Sequence, residues 1–135
     1  EGGVRVQLLT APMTQAQHVL DASGYVFLCP ETLGSMSGHM KDFFDRTYYA
    51  ALDRIQGRPV ALGVCAGSDG RNTLLQLQRI CTGWRLREVP PPVRVCTHAQ
   101  TPQAIAAPKQ LAPADLKACT DLGQAMAAGL ALGLF

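Results

Sequence analysis

The sequence lacks any apolar run long enough to cross a membrane, and it lacks a strong charge of either sign. The apolar C-terminal stretch, residues 125–135, is shorter than a bilayer-spanning helix requires, and no signal-peptide pattern is visible. The net charge is only +2 and no run of Lys or Arg occurs, so nothing in the composition indicates nucleic-acid binding. We therefore expect neither a membrane nor a nucleic acid as a partner.

Closely spaced cysteine pairs, which would indicate a metal site, are also missing. The five cysteines are spread along the chain without a C-x-x-C pair, and the three histidines do not cluster with them. Because the spacings of structural zinc sites are absent, no metal is expected. An odd number of scattered cysteines predicts reduced, mostly buried thiols in a cytoplasmic protein. They are Cys29, Cys65, Cys81, Cys96 and Cys119.

Short apolar segments alternate with segments of helical periodicity along one 135-residue domain, residues 1–135. The hydrophobic content of 47% excludes a disordered chain. The alternation predicts right-handed crossovers and a parallel sheet covered on both faces, hence an α/β protein of three layers. The predicted strands are residues 4–9, 25–29, 60–64 and 85–89, the last resuming at 93–96, and the predicted helices are 11–21 (weak), 40–55, 72–84 and 113–135.

The central stretch, residues 24–46 (GYVFLCPETLGSMSGHMKDFFDR), predicts a strand, a tight loop and a helix. Pro30 is expected to end the strand, because proline supplies no backbone donor. Residues 31–36 form the predicted loop, with Gly34 free to adopt a positive φ, and Ser37 can cap the following helix. In a parallel sheet, ligands bind beyond the carboxyl ends of the strands, where this loop would lie.

A second small, polar segment follows the next predicted strand. Residues 65–70 (CAGSDG) have the composition of a turn that approaches a ligand closely. Ser68 or Asp69 could equally cap the helix that follows. Three consecutive prolines, residues 90–92, cannot lie in a sheet centre, so the strand before them is expected at an edge. Residues 97–111 are expected to form a loop.

The segments PETLGSMSGHMKDFFDR and PVALGVCAGSDGRNTLLQLQ together resemble the flavodoxin-like FMN-dependent oxidoreductases. The most similar groups are the NADPH-dependent FMN reductases and the tryptophan-repressor-binding-protein-like NAD(P)H:quinone oxidoreductases. In that family a P-T-x-F-G-N-M loop precedes a helix with M-K-x-F-x-D and wraps the flavin. Here Pro30, Gly34, Met36, Met40, Lys41 and Asp45 match this pattern, whereas Glu31, Leu33 and Ser35 depart from it.

The resemblance implies a flavodoxin-like α/β/α sandwich that binds FMN, with NAD(P)H as co-substrate and a quinone-like acceptor. Flavin carries the hydride transfer, so no catalytic side chain is implied, although His98 is a candidate to line the acceptor pocket. Family likeness also implies a homodimer or homotetramer. The cofactor-binding residues implied are Pro30, Glu31, Thr32, Leu33, Gly34, Ser35 and Met36 in the first loop, and Cys65, Ala66, Gly67, Ser68, Asp69 and Gly70 in the second.

The family's phosphate-binding unit, a first strand with a Ser/Thr/Gly-rich loop and helix, has no counterpart in the sequence. The resemblance places that strand between residues 4–9 and 25–29, so we expect an N-terminally incomplete domain in which FMN binding is weak or lost. Two alternatives stay open. One is a flavodoxin-type one-electron carrier, which the pI near 8.4 and the absence of aromatic residues from both loops disfavour. The other is a flavin-free binding scaffold of the same fold, which the departures at Glu31, Leu33 and Ser35 favour.

Overall fold

The computed structural model describes residues 3–135 and arranges them as a mostly parallel sheet with helices on both faces. This confirms the predicted α/β architecture. The elements in chain order are a 3₁₀ turn (Ala11–Met13), α1 (Ala16–Asp21), β1 (Tyr25–Thr32), β2 (Ser35–Met36), α2 (Gly38–Ala51), β3 (Pro59–Ala66), α3 (Arg71–Gly83), β4 (Arg87–Glu88), β5 (Val93–Cys96), α4 (Pro102–Ala106) and α5 (Pro113–Ala131).

Strand β3 lies at the centre of the described sheet. It pairs in parallel with β1 over six residues, from Tyr25 opposite Val60 to Pro30 opposite Cys65. On its other side it pairs in parallel with β4 and then with β5, which continue one another along the same edge. The edge position that the three prolines predict is therefore confirmed, because residues 90–92 interrupt the strand between β4 and β5.

One face of the sheet is covered by α2 and α3, which bury the larger core. Alternate residues of β1 and β3 point to this face, as the two-residue period of a strand requires. The helices contribute aromatic and aliphatic side chains at spacings of three and four. The members of this core include Tyr25, Phe27, Phe43, Phe44, Val60, Leu62, Leu77, Cys81 and Trp84. The rings of Phe27, Phe44 and Trp84 meet edge to face.

The opposite face is covered by α5 only over β3 and its neighbours β4 and β5. Leu122 and Met126 of α5 pack on Ala61, Val93 and Val95 there. Two residues of β1 that point to the same face are exposed: Val26 retains 47% and Leu28 60% of its accessible surface. Leu28 leans over Gly63, where a Cβ would come within 2.6 Å of the leucine Cδ2 atom. Among the described residues, nothing therefore covers the α5 face of β1.

The strand predicted at residues 4–9 is wrong, since residues 4–10 form no helix or strand and no described strand pairs with them. Its alternating apolar side chains are largely exposed, Val6 at 80% and Leu8 at 91%. Alternation predicts a strand only where a neighbouring strand is available for hydrogen bonding. The weak helix predicted at 11–21 is divided into the 3₁₀ turn and α1.

Pro30 does not end β1, which continues to Thr32. The residue is tolerated because β3 is the one strand within residues 3–135 that pairs with this part of β1, so the missing N–H can face the open side. Residues 97–111 are not wholly a loop, because α4 forms within them and Thr101 Oγ1 caps it by accepting from the Ala104 N–H at 3.1 Å.

Candidate functional site

The two predicted loops meet at the carboxyl edge of the sheet, where β1 and β3 end side by side. Pro30 lies opposite Cys65 in the ladder, so each strand delivers its loop to the same place. Segments of this edge belong to the strands themselves: Pro30, Glu31 and Thr32 end β1, and Cys65 and Ala66 end β3. The turns proper are therefore shorter than the predicted loops.

The first turn is a tight hairpin between β1 and β2. Glu31 pairs with Met36 and Thr32 with Ser35 in an antiparallel ladder, which leaves Leu33 and Gly34 at the tip. Both tip residues have positive φ, 53° for Leu33 and 75° for Gly34. Positive φ at both central positions is the geometry of a type I′ turn, which matches the twist of its strands. The positive φ expected of Gly34 is confirmed.

The side chain of Glu31 joins this hairpin to the second turn. Its Oε1 accepts a hydrogen bond from the Gly70 N–H at 3.1 Å. Its Oε2 accepts from the Thr73 N–H at 3.3 Å and from the Thr73 hydroxyl at 2.9 Å. The carboxylate therefore occupies the N-terminus of α3, where free N–H groups and the positive end of the helix dipole stabilise a negative charge.

Two further residues of α3 hold the outer part of the hairpin. The Asn72 side-chain amide donates to the Gly34 carbonyl at 2.6 Å. The Gln76 Oε1 atom accepts from the Met36 N–H at 2.9 Å and lies 3.2 Å from the Ser35 hydroxyl. The hairpin is therefore bonded to α3 at its base, its tip and its returning strand.

The second turn, residues 67–70, connects β3 to α3. Gly70 is the N-cap of α3, with a φ of 82°, so neither Ser68 nor Asp69 holds the capping position that was considered for them. A Cβ on residue 70 would lie 3.1 Å from the Ala66 Cβ atom, which shows how closely the turn folds back on its strand. Within residues 3–135, the backbone N–H groups of the exposed residues Ser68 and Asp69 make no hydrogen bond to the protein.

Arg94 of β5 fixes the second turn from the other side. Its guanidinium donates to the Asp69 carbonyl and lies 3.6 Å from the Asp69 carboxylate, which is also 3.6 Å from the guanidinium of Arg71. The two negative side chains at this edge, Glu31 and Asp69, are thus each neutralised by a helix terminus or by arginines. The turn itself presents backbone donors to solvent rather than an uncompensated charge.

His98 lies next to the second turn, in the segment that follows β5. Its N–H donates to the Gly67 carbonyl at 2.7 Å, and its φ of 57° is unusual for a residue other than glycine. The imidazole is exposed. The structure therefore brings His98 to the same edge as the two turns.

Cys65 is exposed at the end of β3. Partial desolvation raises its pKa above the ordinary value, and neighbouring Cys96, Asp115 and Cys119 raise the pKa further. A raised pKa keeps the thiol protonated near neutral pH, so Cys65 is not an activated nucleophile.

All thirteen predicted cofactor-binding residues lie at or next to this one edge, together with three residues of α3 that were not predicted. Asn72, Thr73 and Gln76 hold the first turn in place, and none of them belongs to either loop motif. Thr73 is a polar residue on the same side of the helix as Leu77, and its side chain is fully buried at 0% exposure. A buried hydroxyl at the start of a helix is the signal that could have indicated a partner outside the helix.

None of the helices within residues 3–135 combines the length and the apolar character needed to cross a membrane. The same residues contain no group of three or more His, Cys, Asp or Glu side chains placed to hold a metal ion.

The chain is similar to known proteins over most of its length. A sequence profile for the family described as NADPH-dependent FMN reductase matches residues 11–101. The solved structure of an oxidoreductase from Corynebacterium diphtheriae is 26% identical, with a TM-score of 0.51, over 67% of this chain and 50% of that one. The chain thus spans half the length of that protein. None of the curated proteins matches it. The flavodoxin-like fold expected from the resemblance is confirmed.

Proposed function

Because the chain belongs to the NADPH-dependent FMN reductase family, we propose that it binds the ring of FMN at the carboxyl edge of its sheet for NAD(P)H-dependent electron transfer. The acceptor we propose is a small quinone-like molecule. When bound, FMN supplies the chemistry, because its ring takes up a hydride and passes the electrons on. The residues of the chain bind and orient the ring.

The observation that carries this proposal is the meeting of two short turns at one edge, joined by Glu31. A flat heterocycle needs donors and acceptors along its polar edge, and the N–H groups of Ser68 and Asp69, two exposed residues, have no protein partner among the described residues. The hairpin tip with Leu33 and Gly34 provides an apolar side chain and a backbone without a Cβ on the other side. These residues fit the ring of a flavin.

Residues 3–135 offer fewer binding groups to the phosphate of FMN than to its ring. The N-terminus of α3 lies at this edge, but Glu31 already occupies it. We therefore expect the ring to supply most of the binding free energy of this chain, with affinity in the micromolar range or weaker. The proposed role of His98 is to line the face on which the acceptor approaches, because it stands beside Gly67.

The test is titration of FMN and of riboflavin into the purified chain, followed by flavin fluorescence and by the yellow colour of the protein after gel filtration. We expect both flavins to bind, with affinities within about threefold, and NADPH to be oxidised when FMN and a quinone are both present. A chain that quenches neither flavin contradicts the proposal and favours the flavin-free scaffold. A yellow protein that dithionite reduces but NADPH does not favours the one-electron carrier.

A matched pair of variants tests the backbone donors directly. Ser68→Ala keeps the N–H of the second turn and removes only the hydroxyl, so flavin affinity should stay within about twofold. Ser68→Pro removes the N–H, and we expect affinity to fall about tenfold, as the loss of one hydrogen bond of about 1.4 kcal/mol implies. Urea unfolding of both variants controls for damage to the fold, and equal affinities of the two would contradict the assigned role.

Assembly and location are proposals on the same basis. A homodimer or homotetramer is expected from the family likeness, and sedimentation of the chain with and without flavin would measure it. Cytoplasmic location is expected from the scattered thiols, all of which are free in this structure.

A further inference from the structure

A set of four side chains ties the first turn to helix α3, and we call it the hairpin clamp: Glu31, Asn72, Thr73 and Gln76. We propose that the hairpin clamp sets the distance between the two turns and that Glu31 is its positioning residue. Glu31 acts through the backbone of Gly70 and the side chain of Thr73 rather than by touching the ring. The identity of the ligand between the two turns rests on the proposed function, whereas the hydrogen bonds of the hairpin clamp are present in the chain itself.

Glu31 supplies a cap that α3 does not supply for itself. The N-cap residue, Gly70, has no side chain, and the first turn of the helix contains no acidic residue. Without Glu31, the N–H groups of Gly70 and Thr73 would lose the acceptor that they share. Glu31 is also the last residue but one of β1. Its hydrogen bonds to Gly70 and Thr73 therefore persist only while the end of β1 and the start of α3 keep their relative position.

The hydroxyl of Thr73 depends on Glu31 for its hydrogen bond. Its side chain is 0% exposed, and its hydroxyl donates to Glu31 Oε2 at 2.9 Å. A buried hydroxyl that loses its acceptor cannot turn to water instead. The carboxylate therefore holds three donors at once, and displacement of the hairpin would break all three bonds together.

Asn72 and Gln76 extend the same attachment to the tip and to β2. The Asn72 amide reaches the Gly34 carbonyl at 2.6 Å, and Gln76 Oε1 accepts from the Met36 N–H at 2.9 Å. Leu33, between these attachments, has a φ of 53°, which persists only where surrounding contacts fix the backbone. The clamp thus holds the tip in place before any ligand arrives, so that binding does not have to order it.

The test replaces one oxygen of Glu31 by a donor. Glu31→Gln keeps the size of the side chain, but its NH₂ group would face an N–H or O–H donor, so at least one of the three bonds is lost. We expect FMN affinity to fall about tenfold or more, and amide hydrogen exchange to accelerate at residues 33–36 and at Gly70 and Thr73. At saturating FMN, the visible absorption and circular dichroism of the flavin should shift.

A control with the same charge change comes from β4. The carboxylate of Glu88 accepts from the Gln78 amide of the same helix, at 3.1 and 3.3 Å, away from the carboxyl edge. Glu88→Gln should leave flavin affinity, flavin spectra and exchange at residues 33–36 at their wild-type values. Thr73→Ser keeps the hydroxyl and should change exchange and flavin affinity less than Thr73→Val, which removes the hydroxyl and should reproduce the Glu31→Gln changes.

Failures of the clamp and of the proposed function are separable. If the wild-type chain binds no flavin, the proposed function fails, and hydrogen exchange alone decides the clamp. Wild-type exchange rates at residues 33–36 in Glu31→Gln would overturn the clamp whether or not flavin binds. Equal effects of Glu31→Gln and Glu88→Gln on flavin affinity would also overturn it, because a positioning role requires the contact at the turns.

Discussion

Cys81 illustrates how the core couples stability to pH at the scale of one residue. Its thiol lies between α3 and the sheet with 3% of its surface exposed. Burial, with a smaller contribution from the charge of Glu88, raises its pKa to about 12 from 9.0. The folded state therefore holds the proton more tightly than the unfolded state, so this contribution to stability is complete below pH 9 and is lost as pH rises toward 12.

We predict that Cys81→Ala reduces the alkaline loss of stability. Between about pH 9 and 11 the thiol contributes a slope of up to about 1.4 kcal/mol per pH unit in the wild type, and this part disappears in the variant. Urea unfolding at several pH values in the presence of a reductant measures the two slopes. The value at pH 7 serves as the reference, since there the two proteins differ only in packing. Equal slopes above pH 9 would contradict the assignment.

Gly70 is required by both its conformation and its surroundings. Its φ is 82°, and a Cβ would lie 3.1 Å from Ala66 Cβ and 3.3 Å from side-chain atoms of Val64 and Arg94. We predict that Gly70→Ala lowers the free energy of unfolding by about 2 kcal/mol or more, from the left-handed conformation together with the contacts. Denaturant unfolding of the variant gives this value.

Two other glycines separate the cost of the left-handed conformation from the cost of close contacts. Gly34 has a φ of 75° but open space around it, so Gly34→Ala should cost only the conformational part, about 1 kcal/mol. Gly123 lies in α5 with no atom close to its Cβ position, and Gly123→Ala should stabilise the chain by up to about 1 kcal/mol. If Gly70→Ala lowered the free energy of unfolding no more than Gly34→Ala does, the close contacts at Gly70 would make no measurable contribution.

At the scale of elements, the sequence predicts the helices and strands whose apolar pattern lies within the element itself. The stripes of α2 and α3 and the strands β1 and β3 match the predictions, because each has an apolar pattern of its own, although β1 is buried on one face only. Both turns were placed correctly at the carboxyl edge by the order of strands and helices. Helix α5 also matches the prediction, although Leu116 near its start is 52% exposed.

Two elements could not be predicted, since their causes lie far away in the sequence. Residues 4–9 alternate like a strand, but pairing depends on a neighbour that the pattern cannot name. Glu31 appeared only as a departure from a family motif, because its partners at Gly70 and Thr73 are about forty positions away. Long-range side-chain contacts of this kind leave no period in the sequence.

At the scale of the whole molecule, the outer edge of β1 is open within the part of the chain that the structure describes. No strand within residues 3–135 pairs with Tyr25–Pro30 on the side away from β3. The adjoining face carries exposed Val26 and Leu28. An open strand edge beside an apolar surface is a template for pairing with another chain.

The prediction is that this 135-residue chain by itself associates through the open edge. Val26→Lys with Leu28→Lys places two charges on the uncovered face, where they remain hydrated, and should shift the population toward monomer at concentrations of tens of micromolar. Sedimentation velocity measures the shift. The control is Leu75→Lys on α3, a substitution at a leucine of similar exposure, 64% against 60% for Leu28. Unchanged association of the double variant would contradict the prediction. An equal reduction by the control would also contradict it, because only the β1 variant alters the face beside the unpaired strand.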